Sequence, residues 1–131
     1  MGESALVESQ IVDAGSLVRK LDELGLAPTL VVWYYYDDAA DWRLIIAGPE
    51  FDSLLPKQEA VAYRKIAEAM SAVSPASLTL SDIKLLRSDI PLAKAIRMLI
   101  RTPPTGIMRA HFSNNSLNGI FIKEMILLRA T

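Results

Sequence analysis

The chain predicts an α+β domain with a mostly antiparallel sheet of four to five strands, and with three helices packed mainly on one face of it. Three observations carry that expectation. Val31-Val32-Trp33-Tyr34-Tyr35-Tyr36 and Trp42-Arg43-Leu44-Ile45-Ile46-Ala47 are β-branched, aromatic and aliphatic runs that flank five small or acidic residues, Asp37 to Asp41, the pattern of a hairpin. Asn118-Gly119 near the end of the chain is the strongest short hairpin signal present, because a type I′ turn needs positive φ at both central residues. Between the hairpins the apolar residues recur at helical rather than alternating spacing,. Two hairpins and one connecting strand give the order α-ββ-α-β-α-ββ. Short loops between paired strands favour antiparallel pairing.

The first twelve residues contain Leu6, Val7, Ile11 and Val12 but no clear period, and read as a loosely ordered or partner-contacting segment. Ala14, Leu17, Val18, Leu21 and Leu24 then fall at helical spacing. Asp13 serves as N-cap, Gly25 as C′ residue, and Pro28 blocks continuation, so a helix is predicted over 13–24. In the first hairpin neither strand alternates cleanly between apolar and polar, which implies that both sheet faces are at least partly covered. Gly48-Pro49 ends it. Tyr63, Ile66, Met70 and Val73 form the stripe of a second helix that stops at Ser74-Pro75,. Ile83 to Arg87 reads as a strand. Ser88-Asp89 caps a third helix over 89–101 with Pro91 in its first turn, and Pro103-Pro104 terminates it. The second hairpin runs from Ile107 to about Leu117 and from Ile120 to Leu128.

At 131 residues the chain is expected to be one domain over 1–131, long enough for a core without staples. An apolar fraction of 51% implies either a large buried fraction or an apolar face covered by another subunit. With no cysteine and one histidine, disulfides, thiolate catalysis and cysteine or His-rich metal sites within one chain are excluded. The N-terminus shows no secretory pattern and no apolar stretch approaches the roughly 20 residues of a membrane helix. A cytoplasmic protein without membrane contact and without a cofactor is expected.

Charge is uneven. Residues 1–53 hold ten acids and three bases, residues 54–131 five acids and eleven bases. Lys94, Arg97 and Arg101 share one face of the predicted third helix, and Arg109 and His111 follow. Between residues 84 and 111 there are six bases and one acid, a pattern that could track phosphates. Asp37, Asp38 and Asp41 lack the ligand spacing, glycine and closing glutamate of a calcium loop, so they read as solvated turn acids.

If Asn118-Gly119 is a two-residue turn, facing residues have numbers that sum to 237. Ser113 then faces Glu124, Phe112 faces Met125 and His111 lies diagonal to Glu124. A histidine beside a carboxylate and a serine is the raw material of hydrolytic chemistry, although no nucleophile elbow accompanies it. By the same count Ile120, Ile122, Ile126 and Leu128 occupy the outer sheet face, as does a set of polar residues, and form a candidate interface. The leading expectation is a non-catalytic protein-interaction or self-association domain. A polyanion or nucleic-acid binder using residues 84–111 is the alternative, and a hydrolase using His111 and Glu124 comes third.

Overall fold

The computed structural model of the protein describes residues 6, 8–104 and 106–131. Four helices and five strands occur in the order α1 (Glu8–Glu23), β1 (Leu30–Tyr36), β2 (Asp41–Ala47), α2 (Pro49–Asp52), α3 (Glu59–Val73), β3 (Ile83–Leu85), α4 (Pro91–Leu99), β4 (Ala110–Leu117) and β5 (Ile120–Ala130), with a 3₁₀ turn, Leu80–Asp82, before β3. The strands form one sheet in the order β3-β2-β1-β5-β4. All neighbours are antiparallel except β2 and β3, which run parallel. The sheet is therefore mixed. The connection from β2 to β3 passes through α2 and α3, long enough for the crossover that a parallel pair requires.

Alternation along β1 and β2 divides the core. Val31, Trp33, Tyr35, Trp42, Leu44 and Ile46 face a cluster completed by Ile11, Leu17, Val18 and Leu21 of α1, Phe51 of α2 and Ile66 of α3. Leu30, Val32, Ile45 and Ala47 face the opposite way, onto Ala93 and Ile96 of α4. Thus α1 and α3 cover one face and α4 the other, where the sequence had suggested helices mainly on one side.

Helix α1 begins earlier than predicted. Residues 1–5 and 7, half of the segment expected to be loosely ordered, lie outside the described residues, whereas Glu8–Val12 form the first turns of α1. Asp13 is consequently not an N-cap. Its carboxylate accepts the Ser77 N–H at 2.6 Å and ties α1 to the segment after α3. Gly25 does end the helix, at φ 78°. The Leu26 N–H returns to the Leu21 carbonyl at 2.9 Å and that of Gly25 to Asp22 at 3.1 Å, the paired bonds of a left-handed C-terminal cap.

Helix α4 is likewise shorter than 89–101. It starts at Pro91, whose missing N–H costs nothing there, with Ile90 at the cap position. Ser88 is instead held by Asp52 of α2, through its N–H at 2.8 Å and a short bond from its hydroxyl.

Strand β5 carries a bulge. Val31 of β1 pairs with Arg129 and Val32 with Leu127, which leaves Leu128 as an extra residue. The shift sends both Leu128 and Arg129 toward α1. Arg129 is fully buried there. Its guanidinium pairs in a fork with Asp22 of α1 at 2.8 Å on both sides and also donates to the carbonyls of Gly106 and Pro28. One side chain thus fastens the end of α1, the entry to β1 and the loop before β4.

Candidate interaction surface

The second hairpin has the predicted register. Asn118 and Gly119 adopt φ of 50° and 84°, and Ser113 faces Glu124 while Phe112 faces Met125. The diagonal contact forms too: His111 Nε2 lies 2.8 Å from Glu124 Oε2. This pair sits open on the sheet, with 56% of the histidine side chain exposed, and none of the hollows described below is lined by His111, Glu124 or Ser113. Its geometry is that of a surface ion pair formed when the imidazole is protonated.

The basic residues are not brought together as a stripe. Arg97 is half-buried and donates to the main-chain oxygens of Thr131 at 3.0 Å and Ser88 at 2.9 Å. Arg109 forms a two-pronged pair with Glu8 of α1 at 2.8 and 2.9 Å. That bond holds the Glu8 carboxyl below its ordinary range and raises the guanidinium above its own. Lys94 and Arg101 are exposed. The sheet separates the set, because α4 lies on one face while Arg109 reaches α1 on the other. A linear spacing of bases had suggested one track, and the fold divides it.

The four residues expected on an open outer face are placed differently. Leu128 is 1% exposed and Ile126 half-buried, both against the cluster under α1. Ile122 is fully buried and Ile120 half-buried in the α4 cluster. Strict alternation assigns Ile122 to the Glu124 side. The alternation slips between these residues, at the level where Asn114 takes φ 50° and the register omits a pairing of Asn114 with Lys123. The chain itself covers Ile122 and Leu128, while Ile120 and Ile126 keep part of their surface.

Exposed large apolar side chains are spread over the molecule, Val12 and Leu24 at α1, Leu80 before β3, Phe121 on β5, and Met98 and Leu99 on α4. Among the described residues, the cluster under α1 and α3 has twenty-one buried members and six half-buried ones around it. The α4 cluster has ten buried members and eleven half-buried ones. The proportions identify the α4 face as the less completely covered. One helix of nine residues serves this face, whereas α1 and α3, of sixteen and fifteen residues, serve the other. Tyr34, Tyr36, Phe112, Leu117 and Ile120 lie on the fringe, and Met98 and Leu99 of α4 are 76% and 49% exposed, whereas exposed Phe121 alternates to the other side of β5 from Ile120 and Ile122.

The aromatic end of this face is built by β1. Tyr34 and Tyr36 alternate onto the same side and meet edge to face with ring centroids 5.0 Å apart. Lys84 of β3 places its ammonium 4.8 Å from the Tyr36 ring centre, within cation–π range. Partial burial raises the pKa of both tyrosines, aided at Tyr36 by Tyr34 and opposed by Arg43, so both are neutral hydrogen-bonding groups on an apolar body. Two shallow hollows flank them. One, about 290 Å³, is lined by Tyr34, Tyr35, Tyr36, Asp37, Asp38, Phe121 and Lys123. The other, about 390 Å³, lies toward Arg43, Tyr63 and Lys84. Asp37 pairs with Lys123 at 3.3 Å and Asp41 with Arg43 at 3.0 Å, and no cluster of potential metal ligands occurs among the described residues. No helix among them is long and apolar enough to cross a membrane.

The core position of most of the aromatic hairpin was legible in the sequence, but the exposure of Tyr34 and Tyr36 was not. No protein family, curated protein or solved structure matches the chain.

Proposed function

We propose that this is a non-catalytic, cytoplasmic association domain that pairs with a second copy of itself through the α4 face. The observation that carries the reading is the incomplete cover of that face, with half-buried tyrosines around a small buried cluster and exposed Met98 and Leu99 on the helix that covers it. Tyrosine, phenylalanine and methionine are the residue types enriched in interface cores. A two-fold pairing puts the same patch on both partners, and a formal net charge of −1 offers no long-range repulsion to oppose it. The open position of His111 and Glu124 gives a substrate no enclosure, so association is favoured over hydrolysis. The division of the basic residues between two faces weighs against a phosphate track.

Light scattering across the micromolar range tests the proposal. The wild type should show twice the chain mass at high concentration. Leu99→Lys and Met98→Lys should each shift it to the monomer with an unchanged circular dichroism spectrum, since both side chains are already exposed on α4. A wild-type monomer throughout that range overturns the reading, as does a dimer indifferent to both substitutions.

A further inference from the structure

A second feature lies where β1 parts from β5. The pairing of β1 with β2 runs to Tyr36 and Asp41, but that of β1 with β5 stops at Tyr34 and Met125. The first residues of β5, from Ile120 on, pair with β4 alone. A notch is therefore left between the end of β1 and the start of β5, and the hollow of about 290 Å³ described above occupies it. β1 lines it with three tyrosines and β5 with Phe121 and Lys123, while Asp37 and Asp38 come from the turn after β1.

Phe121 is the member that the core does not explain. It is 58% exposed and belongs to neither core cluster. The rings around it draw cations. Lys84 lies 4.8 Å from the centre of Tyr36 and Lys123 6.0 Å from that of Tyr35, both within cation–π range. Among the described residues no cation lies over Tyr34 or Phe121. Charge points the same way. Asp37 pairs with Lys123 at 3.3 Å, whereas Asp38 is exposed and its carboxylate has no partner among the described residues. Two acids and one base in the lining leave the hollow with a formal charge of −1. The acids alone would hold nothing in open solvent; their setting beside uncovered rings is what defines a ligand.

We propose that this notch binds a methylated ammonium group. Its charge would meet the ring faces of Phe121 and Tyr34, its methyls would cover the exposed phenyl, and Asp38 would attract it from the mouth. The walls select for methylation. Phenylalanine accepts no ordinary hydrogen bond from an N–H group, and an unmethylated ammonium is strongly hydrated. The volume is at the small end for ligand cavities, which limits the ligand to a head group and a few further atoms, either free, as in choline, or at the end of a lysine side chain. The proposal does not rest on self-association, because Phe121 lies off the α4 face.

An NMR chemical-shift titration of the full chain with choline tests this. Separate arms use 3,3-dimethylbutanol, in which carbon replaces the charged nitrogen, ammonium chloride, and a short peptide containing trimethyl-lysine. Choline should shift the amides around Phe121 and Tyr36 saturably, with a dissociation constant on the order of a millimolar, as expected for a ligand of its size. The neutral isostere should bind about fivefold to tenfold more weakly for want of the cation–π attraction, and ammonium should not saturate the site. Phe121→Leu should weaken choline about fivefold and leave the isostere unchanged, while Phe121→Trp should tighten choline, since indole attracts cations best. Neither change should alter the melting temperature, because the side chain is exposed. Asp38→Asn should weaken choline at low salt and make little difference at high salt. A trimethyl-lysine peptide that binds at least about tenfold tighter than choline assigns the group to a protein partner, and weaker binding assigns it to a free ligand. Absence of saturable choline binding overturns the proposal. Equal affinity for choline and its isostere does so too, as does a Phe121→Leu variant with unchanged choline affinity. Ammonium bound as tightly as choline would also overturn it, by reducing the notch to its two acids.

Discussion

Removing the carboxylate of Asp22 should be among the most damaging single changes outside the apolar core. Arg129 is fully buried, and among the described residues Asp22 is the one acid that pairs with it; the side chain of Asp22 keeps 26% of its exposure. Breaking a buried ion pair from one side costs about 3–5 kcal/mol because the remaining charge is left uncompensated. Two features place Asp22→Ala near the lower end. Water can enter where Asp22 stood, and the guanidinium keeps its bonds to Gly106 and Pro28. A loss of about 3 kcal/mol is a large part of the roughly 5–15 kcal/mol that a natural domain possesses. It corresponds to a fall in melting temperature on the order of 10 °C for a chain of this length.

The informative assay is a double-mutant cycle in urea. Arg129→Met alone removes the buried charge, lets Asp22 rehydrate and orphans two carbonyls, at roughly 1 kcal/mol or more for each. Asp22→Ala added to that background should cost little further, because the carboxylate then has no charge to neutralise. The coupling energy should therefore approach the whole effect of Asp22→Ala and persist in molar salt, which screens buried pairs weakly. Additive losses, or a cost of Asp22→Ala below about 1 kcal/mol, would show that the fork behaves as a surface pair and would refute the assignment of Arg129 as the fastening of this end of the sheet.

The turn of the second hairpin makes a local prediction. Gly119→Val should lower stability by about 1–2 kcal/mol or more, because a β-branched residue resists φ near 84°, while Asn118→Gly should change it by only a few tenths; chemical denaturation measures both. The Glu8–Arg109 pair makes a pH prediction. Since folding lowers the Glu8 pKa, its contribution is present above the ordinary glutamate range and disappears as pH falls through the folded value. The small difference between wild type and Glu8→Gln should thus be seen near neutral pH and vanish in acid or high salt.

Features set by neighbours in the chain were legible in the sequence, and features set by distant residues were not. The Asn118-Gly119 turn dictates its own backbone conformation, so the register from Ala110 to Leu127 follows by counting, and with it the meeting of His111 and Glu124. Asp13 shows the opposite case. Its resemblance to an N-cap is a local property, but the partner that employs it, Ser77, is 64 residues away. Arg129 lies just past Leu128, where the strand was predicted to end. Its burial depends on a bulge at Leu128 and on an aspartate 107 residues distant. Ile122 was assigned to the wrong face because counting by twos assumes an unbroken pleat through Asn114, whose φ of 50° breaks it.

The bulge strengthens one face of the sheet. Because Leu128 is an extra residue in β5, Arg129 as well as Leu128 turns toward α1, and that face gains both an apolar contact and an anchor for the loop before β4. On the reverse side the same stretch supplies only Leu127 and Ala130. The loop held by Arg129 lies between α4 and β4, so the fastening that consolidates the α1 face also fixes the chain that leaves the covering helix. After Leu99 the backbone is committed to reaching Gly106, and Pro103-Pro104 within that path cannot continue a helix. α4 stops after nine residues, with Ile100 already extended, and Tyr34 and Tyr36 remain half-buried at the fringe of the cluster that it covers.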